Sequence, residues 1–324
     1  MGRLEAMQAF VAVVEGQGFS AASRKLGIPL PTISRWIAEL EQQLGTHLLM
    51  RSTRKVVVTD SGRQYYESVR RILESLADAE VQAAGEYRNP RGQLTITAPA
   101  LFGRLHVLPI VSDFMASHLE ITARLFFSDF VTDLMEEHVD LGVRIGSLTD
   151  LSLIAAKVGE VRNIYCASPG YLSARGVPRL PEDLVKHDCI AFSKSSDPIP
   201  WPFKLPGKTQ QIITVTPRLS VNTAEAAAEA AIAGGGLTWL YSYQAAPYLA
   251  SGMLTAVLTE FEANPVPVNI IYPAGRLVPQ KVRHFIDFAA ERLRKTLQEI
   301  NSRCNVASAL RPLEPELGKG NGPM

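Results

Sequence analysis

The chain has 324 residues, 46% of them hydrophobic, and its 33 lysines and arginines nearly balance its 32 aspartates and glutamates. This length suits about two domains of roughly 150 residues, and the composition excludes a wholly disordered chain, a histone-like basic protein and an acidic tail. The three cysteines, Cys166, Cys189 and Cys304, are widely spaced and odd in number, which argues against a disulfide framework or a CxxC zinc pair. We therefore expect a protein of a reducing compartment, the cytoplasm.

Two stretches imitate targeting or membrane segments. The apolar run 10–14 is far shorter than the core of a signal peptide, and charged residues lie on both sides of it. Residues 230–259 carry no formal charge, but glycines and polar side chains interrupt them, whereas a spanning helix needs about 20 mostly apolar positions. We expect a buried helix–strand–helix passage over 230–259 and no membrane partner.

Positive charge is concentrated near the N-terminus, where residues 1–71 hold ten basic and six acidic side chains. A local basic surface on a neutral chain favours a polyanion-binding module joined to something else. Charge alone leaves an ordinary solvated face open as the alternative.

Three short helices are predicted in the first 45 residues. Apolar residues repeat at helical spacing over 4–14, and glycines end this pattern. Ser20 is a suitable N-cap for a helix over 21–26, and Pro31 suits the first turn of a helix over 31–44. The last two helices, separated by about four residues, form a helix-turn-helix, whose second helix enters the major groove of DNA.

The candidate DNA-contacting residues are Ser20, at the start of the first of these two helices, and side chains on the second helix and on a predicted wing. Residues 47–50 and 56–58 predict a small hairpin with a basic turn, which would contact phosphates and set the register of binding. Short polar and cationic groups at the start of the helix would face base edges. The full set is Ser20, Thr32, Ser34, Arg35, Arg51, Arg54 and Lys55.

A long helix with a heptad stripe follows the wing, with Thr59 or Ser61 as its cap. So narrow a stripe favours dimerisation, although packing against its own domain is the alternative. A dimer would place two recognition helices about 34 Å apart, one turn of DNA. The stripe consists of Tyr65, Val69, Ile72, Leu76, Ala79 and Ala83.

A glycine motif between the first two helices supports a competing interpretation. Gly16, Gly18 and Ala21 fit the dinucleotide-binding pattern GxGxx(G/A), and Glu39 follows about 20 residues later, where such a site keeps an acid for the ribose. Against this, the preceding apolar run continues a helical stripe, and Glu39 falls in mid-helix. A nicotinamide-dependent oxidoreductase is the alternative function.

The rest of the chain alternates between strand and helix patterns, which is typical of an α/β fold with mainly parallel sheets. A proline-rich stretch, 195–207, is expected to be irregular, and the proline- and glycine-rich residues 302–324 to be a disordered tail. Strands are expected over 94–98, 121–127, 141–145, 164–168, 237–240 and 266–272, and helices over 105–115, 131–137, 224–233 and 282–297.

Motif searches give no catalytic signature. The patterns GxSxG, HExxH and GxxxxGK(S/T) do not occur, and the histidines lack metal-ligand spacing. Gly234, Gly235 and Gly236 precede no Lys-Ser/Thr pair, so they predict a tight turn. We expect no enzyme activity, no metal and no cofactor.

A dense pattern of residues runs through both parts of the chain. It consists of Phe19–Gly27, Pro31–Arg35, Ile37, Leu40–Glu41, Leu44–Gly45, Leu48–Leu49, Arg51, Arg54, Thr59–Gly62, Gly92–Pro99, Phe102–Arg104, Asp140–Gly146, Ala167–Leu172, Val221–Asn222 and Gly234–Leu237. The pattern resembles that of the LysR-type transcriptional regulators. The chain departs from it at Pro29 and Leu30, where the family commonly has Ser or Thr and then Gln, so the resemblance carries over the docking mode but not the base preference.

The resemblance implies an N-terminal all-α winged helix-turn-helix, a linker dimerisation helix and a C-terminal α/β effector-binding domain. This domain would resemble bacterial periplasmic binding proteins, with two subdomains crossed twice by the chain. The expected bounds are 1–59 for the DNA-binding domain, 60–89 for the linker, and 90–301 for the effector domain, with subdomains of 92–163 plus 266–301 and of 164–265.

The resemblance also places a small ligand between these subdomains. Open α/β sheets bind ligands beyond the carboxyl ends of their strands, where helix N-termini attract anions. Arg144 is the obvious cation there, although membership of a structural ion pair is an equally good role for it. In the family, the ligand tends to be a carboxylate. The candidate effector-binding residues are Pro99, Ala100, Leu101, Phe102, Ser128, Asp129, Arg144, Ile145, Gly146, Trp201, Asn222 and Thr223.

The sequence therefore predicts a transcriptional regulator that binds double-stranded promoter DNA as a homodimer and responds to a small-molecule effector. The resemblance implies a homotetramer whose DNA bending and contact with RNA polymerase change with the effector. A solute-binding protein with no DNA role is a third interpretation, but it does not explain residues 1–88 or the missing export signal.

Overall fold

The computed structural model describes residues 2–51, 56–83, 89–129, 134, 139–148, 150, 152–193, 198–205, 210–274 and 278–309. The chain divides into two compact units, which are described separately. The first unit is Met1–Gly92 with Leu277–Gln280, and the second is Gln93–Arg276 with Lys281–Met324.

The first unit is a small helical domain with a two-stranded wing. Its elements are α1 (Arg3–Glu15), α2 (Phe19–Leu26), α3 (Leu30–Leu44), β1 (Leu49–Arg51), β2 (Val56–Val58) and α4 (Asp60–Ala83). The two strands pair antiparallel, as the predicted hairpin requires. Phe10, Ile33 and Ile37 are fully buried among these elements and form the centre of the core.

The ends of these helices follow from local backbone chemistry. Gly27 and Gly45 end α2 and α3 in the left-handed conformation, each with φ of 68°, which costs glycine little. The prediction of Ser20 as the N-cap of α2 is wrong, because α2 already begins at Phe19 and Ser20 lies exposed within its first turn. Pro31 does lie in the first turn of α3, as predicted.

Thr59 is the cap of α4. Its hydroxyl oxygen accepts a hydrogen bond from the Gly62 backbone N–H at 2.9 Å, and the hydroxyl donates to the His47 carbonyl at 2.8 Å. One side chain therefore both starts the long helix and attaches it to the base of the wing.

The second unit contains two five-stranded sheets and a separate hairpin. The first subdomain holds a sheet of order β4-β3-β5-β14-β6, and the second subdomain a sheet of order β11-β8-β12-β7-β13. The strands are β3 (Gly92–Ala98), β4 (Ile121–Phe127), β5 (Leu141–Ile145), β6 (Leu153–Val161), β7 (Asn163–Ala167), β8 (Cys189–Phe192), β9 (Ile199–Lys204), β10 (Gln210–Val215), β11 (Leu219–Val221), β12 (Leu237–Tyr241), β13 (Thr255–Val257) and β14 (Val266–Pro273).

The helices of this unit are α5 (Ala100–Phe102), which continues through a π-helical turn (Gly103–Val107) into α6 (Leu108–Ser117), then α7 (Pro169–Arg175), α8 (Ala224–Ile232), α9 (Ser242–Ala250) and α10 (Gln280–Ala309). The predicted helix–strand–helix passage over 230–259 is confirmed by α8, β12 and α9. Among the described residues, no helix has the length and apolar character that crossing a membrane requires. The predicted helix over 131–137 lies outside the described residues except for Leu134, which is in a turn.

Both sheets are mixed, so the expectation of mainly parallel sheets is wrong. β3 pairs parallel with β5, but β14 is antiparallel to both β5 and β6, and β12 is antiparallel to β7. Helical crossovers between neighbouring strands favour parallel pairing. β14 enters the first sheet directly from the other subdomain, so no such crossover fixes its direction.

Within the proline-rich stretch, residues 199–204 form a regular strand, which the expectation of irregular structure did not include. β9 pairs antiparallel with β10 over its full length. Pro200 and Pro202 alternate with the buried Trp201 and Phe203, so the prolines point away from the core in a hairpin that no further strand extends among the described residues. Proline is tolerated in such an edge position because its missing N–H has no ladder partner to lose.

The last helix extends beyond the predicted start of the tail at residue 302. α10 continues to Ala309, and Cys304 is fully buried in the core of the second subdomain. Asn301 accepts a hydrogen bond from the Ser242 hydroxyl at 2.9 Å and donates one to the Glu160 carbonyl at 2.9 Å. This end of α10 therefore joins the two subdomains.

Candidate DNA-binding surface and effector cavity

The outer face of α3 is the candidate DNA-binding surface. The Arg35 side chain is 69% exposed, and its closest acidic contact is Glu39, at a long 3.7 Å. Thr32 and Ser34 are half-buried on the same helix, while Trp36 packs against the core. So exposed an ion pair stabilises little, which leaves the guanidinium available to an outside partner.

A buried carboxylate fixes the wing to this helix. The Glu41 carboxylate accepts hydrogen bonds from the backbone N–H groups of Leu48 at 2.8 Å and Leu49 at 2.9 Å. Sequence reasoning missed Glu41 as a positioning residue. The available signal was an acid beside Leu40 on the inner stripe, where only a partnered carboxylate is tolerated. Of the predicted wing residues, Arg54, Lys55 and the Arg51 side chain lie outside the described residues.

The predicted dimerisation stripe has two different halves. The Tyr65 ring packs against Phe10 with centroids 5.6 Å apart, and Val69 is fully buried within the unit. Ile72 and Leu76 are 51% and 36% exposed. Ala79 is half-buried, and the side chain of Ala83 lies outside the described part. The first half of the stripe therefore packs against its own domain, whereas the second half is an exposed apolar face.

The second unit contains a cavity of about 550 Å³ whose walls come from both subdomains. Six of the predicted effector residues line it: Pro99, Ser128, Asp129, Arg144, Ile145 and Gly146. The second subdomain contributes aromatic and amide groups that the sequence reasoning missed: Phe192, Tyr241, Tyr243 and Gln244.

The other predicted effector residues have different surroundings. Trp201 is a correction: it is fully buried in a separate aromatic core, next to Tyr165 at 5.9 Å between ring centroids, because β9 turns it inward. Thr223 caps α8 by accepting a hydrogen bond from the Ala226 N–H at 3.2 Å, and Asn222 is exposed. Leu101 and Phe102 are buried and are not among the described residues that line the cavity.

Ala100 contributes its backbone rather than its side chain to this region. Its N–H donates to the Asp129 carboxylate at 3.0 Å. This contact holds a cavity-lining carboxylate against the start of α5.

The charges on the cavity wall have opposite signs. Arg144 is the one lysine or arginine among the described lining residues, and burial lowers the pKa of its guanidinium. The hydroxyl and the backbone N–H of Ser152 donate to the Asp150 carboxylate at 2.6 and 2.8 Å, and these bonds lower the pKa of Asp150. The wall therefore offers a partly desolvated cation together with hydroxyl, amide and aromatic groups.

An aromatic cluster lies behind Tyr243. The His106 ring, on the π-helical turn, is 4.9 Å from the Phe102 ring and 5.9 Å from the Tyr243 ring between centroids. Burial lowers the pKa of His106 to about 4, and its buried Nε2 has no hydrogen-bond partner among the described residues. A π-helical turn often marks a functional position.

An ion pair joins the two segments of the chain that connect the subdomains. Arg162 donates to Glu262 twice, from Nε at 2.8 Å and from Nη2 at 2.7 Å, and both side chains are mostly buried. Such a bidentate geometry fixes the guanidinium and the carboxylate in one plane. The crossing is thus held by a specific contact as well as by backbone.

The described residues do not support metal, thiol or dinucleotide chemistry. They include no cluster of histidine, cysteine and acidic side chains that would hold a metal. Burial raises the pKa of both Cys166 and Cys189 to about 12, so neither is a thiolate near neutral pH. Gly16 and Gly18 lie between the helices α1 and α2, whereas a dinucleotide fingerprint follows a strand. Nothing supports the oxidoreductase alternative.

Both parts of the chain match known protein families. Residues 4–63 match the family described as "Bacterial regulatory helix-turn-helix protein, lysR family", and residues 88–294 match the "LysR substrate binding domain".

Several proteins are similar to this chain along most of its length. An "HTH-type transcriptional regulator" of Xanthomonas campestris pv. campestris is 34% identical over 91% of this chain and 87% of its own length. The full-length Vibrio cholerae virulence activator AphB, a member of the LTTR family, matches with a TM-score of 0.56 and 30% identity over 90% of this chain and 99% of that one. CrgA of Neisseria meningitidis matches with a TM-score of 0.57 and 29% identity over 89% and 98%. The chain belongs to the LysR family of DNA-binding transcriptional regulators, with an effector-binding domain after its helix-turn-helix.

Proposed function

We propose that this regulator binds a promoter site as a homodimer, with the outer face of α3 in the major groove and the wing on the phosphate backbone. The observation that carries this proposal is the exposed Arg35 guanidinium on a helix whose other face is anchored in the core. Arginine pairs in a bidentate way with a guanine edge, and the N-terminal part of a recognition helix meets base edges. Thr32 and Ser34 would add polar contacts there.

The exposed second half of the linker stripe supports the dimer. Ile72 and Leu76 leave an apolar strip on α4 that water covers in the single chain, and pairing with the same strip of a second copy would bury it. By the family pattern, two such dimers form a homotetramer that bends DNA and contacts RNA polymerase. Because it must reach chromosomal DNA, the protein would act in the cytoplasm, and it would act by binding alone, without catalysis.

A small molecule bound in the cavity would control this activity. Because both subdomains line the cavity, a ligand that touches both walls favours one arrangement over another, which is what control of an equilibrium requires. A carboxylate paired with Arg144 is the proposed effector class. Replacing Arg144 with Gln should abolish the thermal shift that an active carboxylate produces, while Lys204→Ala, at the exposed end of β9, should preserve it.

A titration of DNA binding against salt tests the DNA-binding part. Arg35→Ala should weaken binding to the operator about tenfold or more and relax base preference, since one good base contact is worth about 1–3 kcal/mol. Arg54→Ala should weaken binding to all sequences alike and reduce the salt slope by about one. Lys204→Ala, which removes a charge from the exposed end of β9, is the matched control. Unchanged affinity and preference in Arg35→Ala would reject α3 as the recognition helix.

A further inference from the structure

The first turn of α3 is apolar and exposed. The helix begins at Leu30, between Pro29 and Pro31, and the Leu30 side chain is 41% exposed. Both prolines are exposed as well. The core does not account for this surface, because the buried residues of α3 begin at Ile33. In the sequence, Pro29 and Leu30 stand out only as departures from a family pattern.

This turn is poorly suited to binding phosphate. Helix N-termini bind phosphate through unpaired N–H groups. Pro29 and Pro31 have no N–H, and the N–H groups of Thr32 and Ile33 both donate to the Pro29 carbonyl, at 2.9 and 3.2 Å. No side chain caps the helix. Among the backbone N–H groups of residues 29–33, that of Leu30 alone is not accounted for, so the turn presents mainly aliphatic surface.

Exposed cationic side chains lie on α3 and on the neighbouring helix α2. Arg35 is five residues after Leu30 on the same helix and is 69% exposed, Arg24 is exposed on α2, and the exposed Lys25 beside it donates to Glu15 at 2.7 Å. Charge complementarity therefore favours a polyanion as the occupant over an apolar protein groove. On the major-groove edge of DNA, the apolar group available to an aliphatic side chain is the C5-methyl of thymine.

We propose that Leu30 recognises a thymine in each half-site of the operator by contact with its C5-methyl group. This inference rests on the proposed function, because it needs α3 in the major groove. It assigns base discrimination at one position to an apolar contact, where a glutamine would have used hydrogen bonds.

The test replaces thymine with deoxyuridine, one position at a time, across an operator defined by footprinting with the wild-type protein. Deoxyuridine keeps base pairing and the O4 acceptor and removes only the methyl group. We expect one thymine per half-site at which the substitution weakens wild-type binding about fourfold, the change that one buried methyl group implies. Leu30→Ala should bind the thymine operator more weakly and show no difference between thymine and deoxyuridine there.

Two variants complete the test. Leu30→Gln should shift preference at that position from thymine toward adenine, since glutamine pairs with the adenine edge. Leu119→Ala removes a leucine that is 91% exposed in the second unit and should change neither affinity nor the thymine effect.

The possible failures can be told apart. Specific binding by the wild type with equal affinity for thymine and deoxyuridine at every position overturns the thymine contact and leaves the proposed function standing. The same thymine effect in Leu30→Ala as in the wild type also overturns it, because another residue then makes the contact. No sequence-specific binding by the wild type overturns the proposed function, and the thymine contact with it.

Discussion

The ring of Phe102, in the first subdomain, meets the ring of Tyr243, in the second, edge to face, with centroids 5.2 Å apart and planes at 88°. Edge-to-face packing puts the positive edge of one ring against the negative face of the other. Tyr243 also lines the cavity, and its hydroxyl accepts a hydrogen bond from the Gln244 amide at 3.0 Å. A ligand that moves Tyr243 must therefore disturb a packed contact between the subdomains, which gives the cavity a physical connection to their arrangement.

His106, packed on both of these rings, should make the protein less stable in acid. Its pKa is lowered to about 4 by burial, against an ordinary value of 6.5, so between these pH values the unfolded chain binds a proton that the folded chain does not. Stability is then full above about pH 6.5 and falls as the pH drops toward 4, by about 2 kcal/mol after allowance for partial exposure. His106→Phe should flatten this part of the pH dependence in urea melts at pH 7 and 4.5.

The matched control for this prediction is His284→Phe, on the exposed face of α10. It should keep the acid sensitivity of the wild type. An equal loss of stability at pH 4.5 in His106→Phe and in the wild type would show that other groups cause it.

Glu41→Ala should destabilise the first unit by about 2–3 kcal/mol. The substitution leaves the buried N–H groups of Leu48 and Leu49 without acceptors, and unmade buried hydrogen bonds cost more than made ones contribute. Glu41→Gln keeps one acceptor oxygen and should lose less than half as much. Thermal melts of the two variants decide the matter, and equal stability of both would mean that the hydrogen bonds do not hold the wing.

Glu262→Ala should cost about 3 kcal/mol, because it removes the carboxylate that accepts two hydrogen bonds from the mostly buried Arg162 guanidinium at the crossing between subdomains. Burial raises the pKa of Glu262, which shows that desolvation opposes its charge. The double variant Arg162→Met with Glu262→Leu should recover most of the loss. Denaturant titration of the wild type and of these two variants measures the free energies of unfolding.

An exposed pair provides the comparison for this ion pair. The Lys157 Nζ lies 3.2 Å from the Glu160 Oε2, and both side chains are about half exposed. Glu160→Ala should change stability by less than about 0.5 kcal/mol. A similar cost for Glu160→Ala and Glu262→Ala would contradict a special role for the buried pair.

Ile72→Glu combined with Leu76→Glu should give a folded monomer. Both side chains are exposed in the single chain, so the charges cost its fold little, whereas two copies would bring four like charges together. Sedimentation at increasing protein concentration checks the mass, and circular dichroism checks the fold. Val69→Ala, at a fully buried position, should instead lower the melting temperature and leave the dimer assembled. A double glutamate variant that still sediments as the wild type does would exclude this face as the interface.

Sequence periodicity predicts most helices because apolar spacing follows directly from burial on one face. It cannot tell which partner covers that face. Tyr65, Val69, Ile72 and Leu76 share one stripe, yet the first two pack within their own unit and the last two do not. It also overlooks stripes that polar or small residues continue, as Asn301 and Cys304 do at the end of α10.

The residues of the cavity also divide into those that the sequence predicted and those that it did not. Residues at the ends of strands in the first subdomain were predicted because strand ends meet at one edge of a sheet. Tyr241, Tyr243 and Gln244 come from a passage whose hydrophobicity indicated burial alone, and only the tertiary fold brings it to the cavity. Trp201 was misplaced because prolines on both sides concealed the alternation of a strand.

Selection from fragmented genomic DNA tests the central claim most directly. Purified wild-type protein, Arg35→Ala and Lys204→Ala are each incubated with the fragments at physiological salt, and the retained DNA is sequenced. The wild type and Lys204→Ala should enrich the same few sites, each with two half-sites about one helical turn apart, and Arg35→Ala should lose that enrichment. Equal retention of all fragments by the three proteins, or an identical set of sites with Arg35→Ala, would contradict recognition through α3.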